Sequence, residues 1–109
     1  TWLRSLTGQY TSFWAVTGDA LDYAMEQLGI DDPALRDKLL NGYRTLAAYP
    51  DVAPVLDRLR AAGLGTAILS NGSPDMLDSV VKHAKLDNWL DAVMSVEDVG
   101  VFKPDYRVY

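Results

Sequence analysis

The chain has 109 residues, 49% of them hydrophobic and 23% charged, which fits one soluble globular domain. Its net charge of −5 argues against a general nucleic-acid binder and leaves any anionic ligand to be held by local groups. Without cysteine it has no disulfide, thiolate metal site or cysteine nucleophile, and His83, the one histidine, makes a histidine-based metal centre a poor fit. No apolar run approaches the roughly 20 residues of a membrane span, and no signal peptide is visible. The default expectation is a cytoplasmic protein with neither membrane nor nucleic acid as partner. The sequence starts at Thr1 without a methionine and is already amphipathic. It stops at Tyr109, just after Lys103-Pro104-Asp105, where a helix is expected to begin. We therefore expect an internal fragment of a larger domain.

The first half reads as helices. Trp2, Leu3, Leu6, Tyr10, Phe13 and Trp14 recur at spacings of three and four, a helical stripe. Thr17 is placed to cap a helix carrying Leu21, Ala24, Met25 and Leu28, ended by Gly29. Asp32-Pro33 opens another: a capping oxygen, then proline at the first helical position, where its missing N–H costs nothing. That helix carries Leu35, Leu39, Leu40, Tyr43 and Leu46, and no strand is expected up to residue 48.

The pattern then changes. Asp51 caps a helix with Val52, Val55, Leu56 and Leu59, closed by Gly63. Thr66–Leu69 reads as a strand, Ser73-Pro74 starts a helix with Leu77, Val80, Val81 and Ala84, and Ala92–Val96 is a second strand. Alternating helices and strands imply parallel strands joined by right-handed crossovers. The expected class is α/β: part of a doubly wound, Rossmann-like parallel sheet over residues 49–109, preceded by an inserted helical cap over residues 1–48.

Ligands of parallel sheets sit at the carboxyl ends of the strands. Ser70 and Asn71 fall at such an end. Gly72 allows a tight turn, and the helix starting at Ser73-Pro74 offers free N–H groups to an anion. The competing reading is an ordinary βα turn with a good cap. Lys103, held extended by Pro104, belongs at the mouth of the next turn on the same face, where a cation keeps a neighbouring carboxylate ionised. The competing reading there is an exposed lysine.

"LSNGSPDML" and "FKPDYRVY", each after a strand and at this separation, resemble the second and third motifs of the haloacid dehalogenase superfamily. "TWLRSLTGQYTSFWAVTGDAL" is similar to the early cap helices of the L-2-haloacid dehalogenases, and "YPDVAPVLDRLRAAGLGTAILSNGSPDMLDSVV" to their following stretch. The resemblance covers essentially the whole chain. It implies an enzyme in which an aspartate displaces halide from carbon 2 of an L-2-haloalkanoic acid. Water then hydrolyses the ester, leaving a D-2-hydroxy acid. Ser70 and Asn71 would hold the substrate carboxylate, with Asn71 also near the halide. Lys103 would sit beside the nucleophile and Tyr109 would line the site, while Phe13, with Trp2 or Trp14, would form the pocket wall. No cofactor and no metal is implied, and a homodimer through cap helices is permitted.

The same resemblance places the nucleophile and a halide-receiving arginine before Thr1, and a last acidic motif after Tyr109. The 109 residues alone are then expected to be inactive. Asp75 and Asp78 read as helix-surface residues, and Asp98 receives no role. Arg36, Arg44, Arg58 and Arg60 read as solvated, His83 as structural, and Arg4 as near the site without being the family arginine. Two rivals remain open here: a superfamily phosphatase with a similar cap, and a non-catalytic helical interaction module. The aromatic cap favours a haloalkanoate over a phosphorylated ligand. The module would leave the Ser-Asn-Gly and Lys-Pro placements without purpose.

Overall fold

The computed structural model describes the backbone of residues 1–109 and every side chain except that of Trp2, so the expected place of Trp2 in a pocket wall lies outside the described residues. Three helices come first: α1 (Trp2–Thr7), α2 (Phe13–Gln27) and α3 (Pro33–Gly42). Then follow α4 (Val52–Ala61), β1 (Ala67–Ser70), α5 (Pro74–His83) and β2 (Ala92–Ser95), with 3₁₀ turns at Val96–Asp98 and Tyr106–Val108. β1 and β2 pair in parallel, Ala67 opposite Ala92 through Ser70 opposite Ser95, with α5 as the crossover. Both strands thus end level, and the two chain segments beyond them leave from the same edge.

The aromatic stripe is not one helix. Gly8 takes a left-handed conformation (φ 67°) and ends α1. α2 starts afresh at Phe13, with the Ser12 hydroxyl accepting from the Ala15 N–H at 3.2 Å. Thr17 is therefore no cap. It lies inside α2, and its hydroxyl donates to the Phe13 carbonyl at 2.8 Å. Tyr10 and Phe13 of the stripe turn to the core, whereas Leu3 and Leu6 on α1 are 62% and 70% exposed, so the three-and-four spacing does not mark one continuous buried face. Asp32 does cap α3, accepting from the Leu35 N–H at 3.0 Å, an interaction contributing about 1 kcal/mol. Asp51 precedes α4 but makes no side-chain cap bond.

β1 starts one residue later than the apolar run suggested. Thr66 is taken up by the neighbouring turn: its N–H donates to Asp91 Oδ2 at 2.7 Å and its hydroxyl to the Trp89 carbonyl. Val96, read as the end of β2, is instead the fully buried start of a 3₁₀ turn. The core is centred on Phe102 and Val96, both fully buried, with Val101, Met76 and Val81 nearly so. The helical half reaches it through Tyr10 and Phe13, whose rings lie 4.9 and 6.4 Å from that of Phe102. The Phe102 N–H also donates to Ser5 Oγ at 2.8 Å. β2 is apolar yet open, with Val93 42% and Met94 44% exposed. Such strands suit a sheet covered on both faces, and the two strands present here leave part of that surface uncovered.

Three arginines read as solvated are bonded, Arg44 to Asp75 among them. Arg36 holds both Asp22 oxygens and so ties α3 to α2. Arg60 donates to the Asn88 carbonyl at 2.6 Å.

Candidate functional site

β1 delivers Ser70 and Asn71 to its carboxyl end, and the chain turns there into α5. Ser70 Oγ accepts the Gly72 N–H at 3.0 Å, a two-residue turn that holds the hydroxyl at the strand end. Gly72 stands in a tight space and has no positive φ. A Cβ there would stand 3.0 Å from Leu77 Cδ2 and 3.3 Å from Ser70 Oγ. From the adjacent strand, Ser95 Oγ donates to the Gly72 carbonyl at 2.7 Å and accepts the Glu97 N–H at 3.1 Å. The loop is thus braced by β2, as the level register allows.

Lys103 arrives from the second segment and closes on the first. Its N–H donates to Asn71 Oδ1 at 2.8 Å, and its ammonium donates to the Leu69 carbonyl at 2.6 Å. Asn71 therefore spends its carbonyl oxygen on Lys103, while among the described residues no hydrogen bond uses its amide nitrogen. Of the ion pairs among the described residues, none includes Lys103. A half-buried cation with one protein acceptor, two amide protons and a serine hydroxyl so meet at the ends of two parallel strands. That donor set can hold an anion and stabilise a carboxylate.

The family model for haloacid dehalogenase-like hydrolases matches residues 2–109. The chain belongs to that family. This haloacid dehalogenase-like hydrolase is 43% identical over 99% of its length to (S)-2-haloacid dehalogenase 4A of Burkholderia cepacia, covering 47% of that protein. It is 47% identical over its full length to (S)-2-haloacid dehalogenase H-109 of Pseudomonas putida, covering 49% of it. Among solved structures, the L-2-haloacid dehalogenase of Xanthobacter autotrophicus with chloropropionic acid covalently bound matches with a TM-score of 0.89 and 45% identity. That match covers 99% of this chain and 44% of the other. The chain spans about half the length of the curated relatives it matches. Its two parallel strands and crossover helix are part of the Rossmann-like core of the family.

The other expected site residues of this haloacid dehalogenase-like hydrolase are placed less tightly. Phe13 is half-buried, edge-on to Phe102, and also borders an apolar groove of about 500 Å³ with Val16, Leu21, Leu39 and Tyr43. Tyr109 follows the last 3₁₀ turn, 80% exposed, its N–H on the Tyr106 carbonyl. Asp78 forms an exposed i,i+4 pair with Lys82 at 2.9 Å, and Arg4 pairs with Asp19 at 3.3 Å. Asp98 borders a separate groove between α5 and β2. Asp75 is more than a surface residue. The Ser73 hydroxyl, and after it Arg44, hold its carboxyl below the usual carboxylate range. Ser73, expected to cap α5, makes no side-chain cap bond because its hydroxyl is turned to Asp75. Sequence reasoning missed Ser95, Ser5 and Arg44. Only Ser95 carried a signal, a serine ending an apolar run as Ser70 does.

Asp105, expected to open a helix, caps only a 3₁₀ turn. It accepts the Arg107 N–H at 3.0 Å and pairs with the Arg107 guanidinium at 2.8 Å. The Arg107 side chain, then its N–H, lower the Asp105 carboxyl from 3.8 to about 2. A depressed folded-state pKa contributes stability above the unfolded value and loses it as pH falls through the folded one. Asp105→Asn is therefore expected to be less stable than wild type above pH 4. The gap should shrink as pH falls from 4 towards 2, as urea melts at a series of pH values would show. A gap independent of pH would refute the assignment.

Proposed function

We propose that the full-length protein containing this chain is an L-2-haloacid dehalogenase acting on short 2-haloalkanoic acids. It belongs to the cytoplasm and needs no cofactor or metal. The observation that carries this reading is the hydrogen-bonded junction of Asn71 and Lys103 at the strand ends, in a chain 43–47% identical to proteins named (S)-2-haloacid dehalogenases. The covalently bound chloropropionic acid in the Xanthobacter relative supports a covalent step.

In this reading an aspartate outside these 109 residues attacks carbon 2 from the side opposite the halogen. The carbon–halogen bond breaks, the halide leaves with the electron pair, and configuration inverts. Water then hydrolyses the ester to a D-2-hydroxy acid. Lys103 keeps the nucleophile ionised, and Ser70 and the Asn71 amide hold the substrate carboxylate, with Asn71 also receiving developing halide charge. Residues 1–48 act as the cap and 49–109 as part of the core. Phe13 walls the substrate, Tyr109 lines the site, and the open groove between α2 and α3 suits a homodimer through cap helices.

The test is halide release from L-2-chloropropionate by the full-length protein, with the product's handedness read by chiral chromatography. D-lactate is expected, and L-lactate or no halide would refute the reading. The 109-residue chain assayed alone is expected to match the buffer control, since none of its aspartates stands against Lys103.

A further inference from the structure

Arg44 lies two residues past α3, and its guanidinium meets two other elements at once. One nitrogen donates to Asp75 Oδ2 at 2.7 Å and the other reaches Ser79 Oγ at 3.5 Å, both on α5. Its carbon lies 4.3 Å from the centre of the Trp14 ring on α2. Asp75 is gripped from its other side, where Oδ1 accepts from the Ser73 hydroxyl at 2.8 Å. The Ser79 hydroxyl returns a bond to the Asp75 carbonyl at 2.8 Å. Ser73 is buried and directly follows the Ser70-Asn71-Gly72 loop.

The first turn of α2 is thus pinned by two adjacent aromatics. Phe13 leans on Phe102, next to Lys103, and Trp14 lies against Arg44 beside the start of α5. A lone exposed ion pair does little for stability, and Asp75 is 60% exposed. A guanidinium set over an indole and bonded to a carboxylate held on both sides instead ties three elements together at one point.

We propose that Arg44 is a positioning residue that sets the spacing between the Phe13–Trp14 turn and the Ser70-Asn71 loop, and so the size of the 2-substituent the site admits. This rests on the dehalogenase reading. The latch touches neither substrate nor nucleophile, so its loss loosens the fit of substrate more than it slows the bond-breaking step.

The test uses the full-length protein with Arg44→Met, Asp75→Asn and both together, assayed with 2-chloropropionate and 2-chlorobutanoate beside thermal melts. Arg44→Met is expected to raise KM on the order of tenfold, with kcat within about threefold, and to narrow the preference between the two acids. The double variant is expected to be no worse than the worse single, because both act through one contact. An unchanged KM, whether or not the melting point falls, or additive effects in the double, would overturn the proposal. A wild-type protein inactive on both acids would instead refute the dehalogenase reading. The latch itself is then decided by amide exchange. Faster exchange in Arg44→Met at the first turns of α2 and α5 supports the latch, and unchanged exchange overturns it.

Discussion

Replacing Lys103 by alanine in the full-length protein is expected to cut halide release at least on the order of 10²-fold, the loss typical of removing one preorganised electrostatic group. The reason lies in what the ammonium faces. Its acceptor in this chain is the Leu69 carbonyl at 2.6 Å, and it forms no ion pair among the described residues. In the proposed reaction the remaining donors meet the nucleophile. Folding should suffer less than catalysis. Alanine leaves the Lys103 N–H and its bond to Asn71 in place. It removes a charge-assisted bond to Leu69 that contributes about 1.5–3 kcal/mol. The melting point should drop by several degrees while the protein stays folded at assay temperature. Near wild-type turnover by the folded variant would return Lys103 to the status of a surface cation that caps a strand end.

The second large effect is expected at Asn71. Asparagine and aspartate share the oxygen that accepts the Lys103 N–H at 2.8 Å, so Asn71→Asp keeps the junction between the two motifs. It loses both amide donors and gains a negative charge where an anionic substrate and a departing halide are proposed to lie. Folding should be preserved, activity should fall on the order of 10²–10³-fold, and KM should rise with the lost turnover. Asn71→Ala provides the contrast. It removes the acceptor as well, so it should destabilise the protein by about 1–3 kcal/mol as the Lys103 N–H is left unpaired. Intact kinetics in the folded aspartate variant would mean that Asn71 serves only to brace Lys103.

Much of the fold was legible because its signals are local. Asp32-Pro33, Gly29 and Gly63 act on neighbouring backbone, and each stands where the structure ends or begins a helix. The parallel α/β order followed from the alternation of elements, which the paired strands bear out. Illegible features depend on partners distant in sequence. Arg44 read as solvated because nothing near it in the chain is its partner, yet Asp75 lies 31 positions away. Thr66 read as strand because it opens the β-like run, yet Asp91 and Trp89 claim it. At the site, the strand ends, the helix start at Ser73-Pro74 and the proline after Lys103 singled out Ser70, Asn71 and Lys103, and the resemblance gave them roles. The bond between Asn71 and Lys103, which gives the asparagine oxygen a positioning task, has no trace in either motif alone.

That bond also bears on how the protein assembles. Closing a loop of 32 residues costs roughly 3 kcal/mol of chain entropy, more than the ~1 kcal/mol one neutral hydrogen bond returns. The junction cannot hold itself shut. It is kept closed by the pairing of β1 with β2 and by the packing around Phe102 and Val96. The Lys103 amide proton is therefore a gauge of the interior. Its exchange with solvent should follow opening of the βαβ unit as a whole, and a cavity cut under the C-terminal half of α5 should quicken that exchange.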